Sequence, residues 1–222
     1  MRIFELIEKN LLLSKLIKKP SKVNKIKPII TISREFGSSG SIIAEKVASK
    51  LGKRWKAYHS EIVDKIAKTS RLGKNIIDKI DEGVVSTINL IIGDFFGKKY
   101  VNLSEYSKHL YKVLSVIENR GYAVIVGRGS NFILPQSLKI RIIANMEQRI
   151  KTTMTYKKVS RSTAISMIES SDKKRSEFIK QLFNHTNTNA YHYDVVIKTG
   201  GILDDDDAIS LIVNLAKRKF NL

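Results

Sequence analysis

The chain has 222 residues, of which 42% are apolar and 27% are charged, and it contains no cysteine. This length can bury a substantial core, and it suits one α/β domain with insertions better than two full domains. The absence of cysteine excludes disulfides, thiolate zinc sites and cysteine nucleophiles, and it is consistent with the cytoplasmic location that we expect.

The formal net charge of +19 is the strongest compositional signal. Residues 1–30 carry eight Lys or Arg against two Glu, so the excess is spread along the chain rather than held in one tail. We interpret it mainly as solvated surface charge, which would also attract phosphate-rich substrates. Binding to nucleic acid stays a secondary alternative.

Residues 1–27 are predicted to form a basic, amphipathic extension before a main domain at residues 28–222. The apolar residues between positions 2 and 18 are interrupted by Lys9 and Lys15, which favours an amphipathic helix over a signal peptide. Three positions for this helix stay open: on the domain, on a partner, or on a membrane surface. No apolar run reaches the ~18 residues of a membrane-spanning helix, so none is expected. The sequence does not indicate the oligomeric state.

Strand and helix patterns alternate in the main domain. Residues 28–33 are short, β-branched and bounded by turn-forming residues, which is typical of a buried parallel strand. The apolar spacing from Ile42 to Leu51 predicts a helix that stops at Gly52. Further strands are predicted at 122–126, 138–144 and 193–199, helices at 147–156, 164–183 and 204–220, and mostly helical structure over 60–121. This alternation predicts a three-layer α/β fold with a central parallel sheet.

A glycine- and serine-rich loop joins the first strand to the first helix. Glycine permits the positive φ angles that let backbone N–H groups converge, and the helix N-terminus adds partial positive charge. The sequence therefore predicts a phosphate site at Gly37, Ser38, Ser39, Gly40 and Ser41. Ser41 also stands where the first turn of the helix can offer a Mg²⁺ ligand.

This loop departs from the nucleotide-binding pattern G-x-x-x-x-G-K-[ST]. When Ser41 is placed on the final Ser/Thr, Arg34 stands at the first glycine and Gly40 at the lysine. The lysine that reaches the terminal phosphates is therefore missing. By itself, the loop fits a plain strand–helix turn as well as it fits a phosphate site.

The segment Ile30–Ala44 contains Ser-Arg-Glu-Phe-Gly-Ser-Ser-Gly and resembles the opening motif of the cytidylate kinase-like family. In that family a similar segment stands at the phosphate loop, and the lysine is commonly absent. The resemblance implies a P-loop nucleoside-monophosphate kinase fold, with Ser39 in place of the usual glycine. Arg34, one loop away from the place of the lysine, is predicted to bind phosphate and to supply the missing charge.

The resemblance continues after the third predicted strand. The similar segments are Val124–Ser130, Pro135, the strand at 138–144 and Glu147-x-Arg149. An Arg that leaves the carboxyl end of a parallel strand points to the crevice where ligands bind, so Gly127 and Arg128 are predicted to bind the acceptor monophosphate. Gly129 stands where cytidylate kinases have an Asp that reads the nucleoside.

The resemblance also includes a lid near residues 157–185. In it, Asp172-x-x-Arg175 places a carboxylate and an Arg on one helical face. The resemblance implies catalytic roles for Arg149, Asp172 and Arg175, with Arg175 neutralising the moving phosphoryl group and Asp172 orienting an Arg. An exposed intrahelical ion pair is the structural alternative. Ile168 stands in place of the family's first lid Arg.

Residues 60–120 correspond to the family's helical monophosphate-binding insertion, in which Glu61 is the candidate to orient the acceptor phosphate. The implied reaction moves the γ-phosphoryl group of ATP, with Mg²⁺, to a nucleoside monophosphate such as CMP or to a similar small acceptor. Two alternatives stay open. One is a nucleotide-binding module with weak or no turnover, and the other is a basic nucleic-acid-associated protein.

Three further features are interpreted as structural. Asp204–Asp207 is expected to cap the last helix, because acids there offset the helix dipole. His185 and His192 are expected in a loop rather than as a pair of metal ligands, and Trp55 is expected to pack beside a short strand.

Overall fold

The computed structural model describes residues 27–60 and 101–222, with side chains over 27–60 and 110–222. The chain divides into two compact units, one formed by residues 1–26 with 63–116 and one by 27–62 with 117–222. The predicted N-terminal helix, Glu61 and most of the predicted insertion lie outside the described residues.

The described helices and strands alternate along the chain. They are β1 (Ile29–Arg34), α1 (Gly40–Leu51), β2 (Lys56–Tyr58), α2 (Val101–Arg120), β3 (Ala123–Val126), α3 (Ser130–Ile133), β4 (Leu138–Ala144), α4 (Met146–Lys157), α5 (Arg161–Phe183), β5 (Val195–Thr199) and α6 (Asp205–Phe220). A short 3₁₀ helix, Ala190–His192, precedes β5. No helix among these is long and apolar enough to cross a membrane.

The part of the chain that the structure describes forms one sheet of five parallel strands, in the order β2-β3-β1-β4-β5. The central strand is β1, in which Ile30 pairs with Val124 of β3 and with Leu138 of β4. The chain passes from β3 to β4 across β1, so the strand order reverses beside the carboxyl end of β1. Ligands of open α/β sheets bind outside the carboxyl ends of the strands at such a reversal. The fold therefore places the loop after β1 at the expected ligand position.

One face of the sheet is covered by α1 and α6. Ile30 and Ile32 of β1 are fully buried and belong to one apolar cluster with Ile43 of α1 and Ile209 of α6. Since successive strand residues point to opposite faces, Thr31 lies on the other face, where its hydroxyl is 3.2 Å from that of Ser137. The predicted α/β fold with a central parallel sheet is confirmed.

The ends of several elements differ from prediction because of local hydrogen bonds. Helix α5 begins three residues before the predicted start, since the Ser160 side chain accepts the N–H of Thr163 and caps it. Strand β5 begins two residues later than predicted, because Tyr193 closes the preceding 3₁₀ turn through its N–H to the Ala190 carbonyl at 3.0 Å.

Two structural expectations are met. Asp204 caps α6 by accepting the N–H groups of Asp206 and Asp207, and the Asp207 side chain accepts the N–H of Asp204 in return. Trp55 is buried and contacts the edge of the Tyr122 ring, with ring centroids 5.8 Å apart.

Helices α4 and α5 pack on each other through a separate small cluster. Its buried residues are Ile150, Ala164 and Ile168, and Phe36 from the loop after β1 contacts them. Ile168 is thus a core residue that joins α5 to α4 and to the loop.

The first unit is described through residues 101–116 of α2. In it, Leu110, Val113 and Leu114 are buried, and their spacing places them on one face of the helix.

Candidate phosphate-binding site

The loop between β1 and α1 has the backbone of an anion site. Gly37 has a φ of 80° and Ser39 a φ of 59°, and such left-handed residues within a turn direct neighbouring N–H groups to one side. Ser39 is the N-cap of α1, and its side chain makes no capping hydrogen bond. Among the described residues, no acceptor takes the N–H groups of Gly40 or Ser41. The N-terminus of α1 thus presents donors that a phosphate can satisfy.

Helix α4 lies directly behind this loop at Gly37. A side chain on Gly37 would place its Cβ 2.6 Å from the Arg149 carbonyl oxygen and 2.8 Å from the Thr153 hydroxyl. Glycine is therefore required both by the φ angle and by the close approach of α4.

The backbone of Phe36 is held by two of the predicted catalytic residues. The Phe36 N–H donates to Asp172 Oδ1 at 2.9 Å, and Arg149 Nε donates to the Phe36 carbonyl at 2.7 Å. Arg149 and Asp172 also form an ion pair, and Arg149 lies 3.7 Å from Glu35 Oε2. Arg175 completes the group, with its Nη1 donating to the Arg34 carbonyl at 3.1 Å. These residues hold the start of the loop from α4 and α5.

The side chain of Arg34 runs from the start of α1 to the end of β3. Its Cβ lies 2.7 Å from the position that a Cβ on Gly40 would occupy. Its guanidinium lies where a side chain on Gly127 would stand, and its Nη2 donates to Ser60 Oγ at 3.2 Å. The structure thus brings Arg34, the loop and Gly127 together.

The turn after β3 is shaped by helix α5. Arg128 has a φ of 56°, and its guanidinium carbon lies 5.4 Å from the centre of the Phe178 ring. Gly129 has a φ of 64°, and a Cβ there would overlap the Phe183 ring. An Asp at position 129, as in cytidylate kinases, has no room in this packing.

Two of the loop serines, Ser38 and Ser41, have different surroundings. The buried Ser38 hydroxyl donates to the Glu35 carbonyl at 3.0 Å, with the Ile142 carbonyl at 3.4 Å, so it holds the loop on β4. Ser41 is exposed in the first turn of α1, where its hydroxyl fits the predicted role of a Mg²⁺ ligand. Within the described residues, no group of three His, Asp or Glu could hold a metal ion. A Mg²⁺ ion here would be held largely by nucleotide phosphates and water, its usual mode of binding.

Several residues of the site were missed by the sequence reasoning. Glu35 accepts the Ala144 N–H at 3.1 Å, and Thr153 backs Gly37, but neither follows a spacing rule because the partners are more than 100 residues apart in sequence. Ser60 accepts a hydrogen bond from Arg34, a contact that no local sequence pattern indicates.

His185 and His192 come together in an aromatic cluster at the end of α5. Their ring centroids are 4.6 Å apart, and the Phe132 ring lies 5.0 Å from His185 and 5.0 Å from Phe183. Burial lowers the pKa of His185. Burial, His185 and Lys139 together lower the pKa of His192. The cluster fixes the carboxyl end of α5 against α3.

The chain is similar to one protein family and to several solved structures. It matches the model of the cytidylate kinase-like family over residues 29–201. An uncharacterized protein from Eubacterium ventriosum is 23% identical, with a TM-score of 0.67, and the match covers 86% of this chain and 99% of that chain. At this identity the likeness shows the fold alone.

Two other solved structures are similar over comparable lengths. TT1252 from Thermus thermophilus is 18% identical with a TM-score of 0.45, covering 87% of this chain and 98% of that chain. Dephospho-CoA kinase from Campylobacter jejuni is 18% identical with a TM-score of 0.35, and the match covers 85% of this chain and 97% of that chain. These scores are too low to support any argument, and no curated protein matches the chain.

The family supports nucleotide kinase activity and a nucleotide substrate in general, without specifying CMP. Because the family match spans most of the sequence and includes the whole site described above, the chain belongs to the cytidylate kinase-like family.

Proposed function

We propose that the protein transfers the γ-phosphoryl group of ATP to a small phosphorylated acceptor, with a nucleoside monophosphate such as CMP as the first candidate. The observation that carries this proposal is the position of Arg34. Its guanidinium lies beside Gly127 at the reversal of strand order, next to a loop that presents N–H donors. The cation of Arg34, the N-terminus of α1 and the turn at Gly127 and Arg128 lie at one place. This arrangement suits a reaction between two phosphate groups.

The ATP phosphates would bind at Gly37–Ser41. The N–H groups of Gly40 and Ser41 would contact the phosphate oxygens, and Arg34 would supply the charge that lysine supplies in the usual pattern. Mg²⁺ would neutralise phosphate charge beside Ser41. No side chain has to form a covalent bond, since positioning and charge neutralisation account for catalysis of this kind.

The acceptor phosphate would bind at Gly127 and Arg128, on the opposite side of Arg34 from the loop. Arg175 is proposed to neutralise charge on the phosphoryl group during transfer. The contacts of Arg149 and Asp172 favour positioning, because both hold the Phe36 backbone. Glu61 stays a prediction, as does the cytoplasmic location, where ATP and monophosphates are available.

A nucleotide-binding module without turnover is the second candidate. The observation in its favour is that Arg149 already pairs with Asp172 and approaches Glu35, so its charge is balanced within the protein. Association with nucleic acid stays a prediction from the net charge.

A coupled assay of ATP consumption over a panel of nucleoside monophosphates, CMP included, tests the proposal. We expect Mg²⁺-dependent turnover with at least one acceptor, and a loss of roughly 10²–10³-fold in kcat/KM in Arg34→Ala. Arg218→Ala, on the far end of α6, is the control and should keep full activity. ATP-dependent thermal stabilisation with no turnover on any acceptor would favour the module, and no response to ATP at all would refute both.

A further inference from the structure

A buried arginine lies across β1 from the guanidinium of Arg34. Arg141 of β4 is only 5% exposed and pairs in register with Ser33 of β1. Because Ser33 and Arg34 are neighbours on one strand, their side chains point to opposite faces of the sheet. Arg141 and Ser33 thus lie near the same carboxyl edge as the phosphate loop, on the other face.

The contacts of Arg141 are well defined and involve neutral groups. Its Nη1 donates to Ser33 Oγ at 3.0 Å, and its guanidinium carbon lies 5.7 Å from the centre of the Tyr193 ring. The Tyr193 hydroxyl divides its donation between the Asn187 carbonyl at 2.9 Å and Ser33 Oγ at 3.3 Å. Arg141 and Ser33 are therefore fixed in place from the segment before β5.

The charge of Arg141 has no counterpart in the part of the chain that the structure describes. No carboxylate there lies within ion-pairing distance of it, and Ser33 Oγ is the one acceptor within hydrogen-bonding distance. Arg149 provides the comparison, because it is 8% exposed and pairs with Asp172 and Glu35. A buried guanidinium is normally paired, since burying a charge alone is unfavourable. The Tyr193 ring attracts the cation, but neither the ring nor the Ser33 hydroxyl carries a negative charge that would balance it.

We propose that Arg141, Ser33 and Tyr193 form an acceptor subsite that binds an anionic oxygen group of the phosphoryl acceptor. This inference rests on the proposed function. Ser33 is only partly buried, which gives a ligand access to the pair. The planar guanidinium matches two oxygens of a phosphate or a carboxylate. An anion there would lie across β1 from Arg34 and would balance the charge of Arg141.

Side-chain NMR of the arginine Nε–Hε groups tests the subsite without requiring turnover. Arg141→Lys assigns the Arg141 resonance by its loss, and inorganic phosphate, acetate and chloride are titrated at matched ionic strength. We expect a saturable shift of the Arg141 resonance with phosphate or acetate and none with chloride, while Arg218 does not move. The shift should persist when a non-hydrolysable ATP analogue occupies the loop. If neither phosphate nor acetate moves the Arg141 resonance, the subsite is refuted.

The two anions separate the possible sources of the oxygen group. A stronger response to phosphate identifies a second phosphate group on the acceptor, separate from the one proposed to bind at Gly127 and Arg128, and a stronger response to acetate identifies a carboxylate on the acceptor. Either response supports the subsite. These titrations need no catalysis. They therefore still decide whether Arg141 binds an anion if no acceptor is turned over and the proposed function fails.

Kinetics provide the second measurement. Ser33→Ala removes one hydroxyl, and Arg141→Lys keeps the positive charge but loses the planar pair of N–H donors of the guanidinium. We expect each to raise the acceptor KM roughly tenfold, as for loss of one charged hydrogen bond, with the ATP KM changed less than about twofold. Equal changes in both KM values, or no change in either, would contradict the proposal. If Arg141→Lys does not fold, Ser33→Ala still tests the subsite through its separate effects on the acceptor KM and the ATP KM.

Discussion

The stem of Arg34 fills the space that a side chain on Gly40 would need, with the Arg34 Cβ 2.7 Å from the ideal Cβ position of Gly40. These are the positions of the first glycine and the lysine in the usual nucleotide-binding pattern. Cation and glycine have therefore exchanged places across the loop. The structure explains the exchange, because a large residue at either position leaves room only for glycine at the other.

This relationship predicts that position 40 can accept a lysine only when position 34 becomes glycine at the same time. Gly40→Lys alone should destabilise the protein by about 1–3 kcal/mol, since its stem overlaps that of Arg34. Arg34→Gly alone should lose about 10²–10³-fold in kcat/KM, because it removes the cation. The double variant Arg34→Gly/Gly40→Lys should recover stability and part of the turnover, measured by urea unfolding and the coupled assay. A double variant as defective as the sum of the single variants would show that the positions are not coupled.

Gly37 should tolerate no side chain. Gly37→Ala meets the Arg149 carbonyl at 2.6 Å as well as a φ of 80°, whereas Gly52 has a φ of 112° with open space around it. Gly52→Ala therefore isolates the backbone strain, for which we expect a loss of about 1–3 kcal/mol. Gly37→Ala should lose about 1–3 kcal/mol more, because α4 has to move. Urea unfolding measures the stability of both variants. Equal losses of stability would contradict the prediction, because they would mean that moving α4 has no energetic cost.

The pairing of Arg149 with Asp172 predicts a compensating double variant. Asp172→Ala removes the acceptor of the Phe36 N–H and leaves Arg149 with less balanced charge. Since a third of the Asp172 side chain is exposed to solvent, we expect a moderate loss of about 1–3 kcal/mol. Arg149→Met in the same chain should restore part of the stability, because it removes the buried cation.

Activity separates positioning from catalysis at this pair. If Asp172 positions the loop, Asp172→Asn keeps an acceptor for the Phe36 N–H and should raise the ATP KM less than Asp172→Ala does. A variant Asp172→Ala whose ATP KM and stability both equal those of the wild type would contradict the positioning role.

Acid should weaken the cluster of His185 and His192. Burial lowers the pKa of both imidazoles, so the unfolded chain binds protons more readily than the folded chain does. The cluster therefore contributes its full stability above the ordinary histidine pKa of about 6.5, and this stability is lost as the pH falls through the lowered values. The melting temperature measured between pH 7.5 and 5 should fall as this stability is lost. In the variant His192→Phe the melting temperature should depend less steeply on pH. His59→Gln is the control, because His59 contacts Glu45 outside the cluster.

Local sequence patterns determined the order of elements and the position of the loop. Residues 28–33 are short and mostly β-branched, which favours a buried strand, and Gly37 with Gly40 allowed the turn that follows. These signals act between neighbouring residues, which is why the strand–loop–helix unit was predicted almost to the residue. The element ends at Ser160 and Tyr193 were missed, because each depends on one hydrogen bond rather than on a pattern.

Only the tertiary structure decided what the charged residues touch. The sequence placed Asp172 and Arg175 on one face of a helix, but the contact of Asp172 with Arg149 joins two helices through packing at Ile168. The tertiary structure likewise decided that Arg141, which no sequence pattern singles out, is buried beside Ser33. Hydrophobic periodicity fixes which face of an element turns inward, while the partner of a buried charge depends on how distant elements meet.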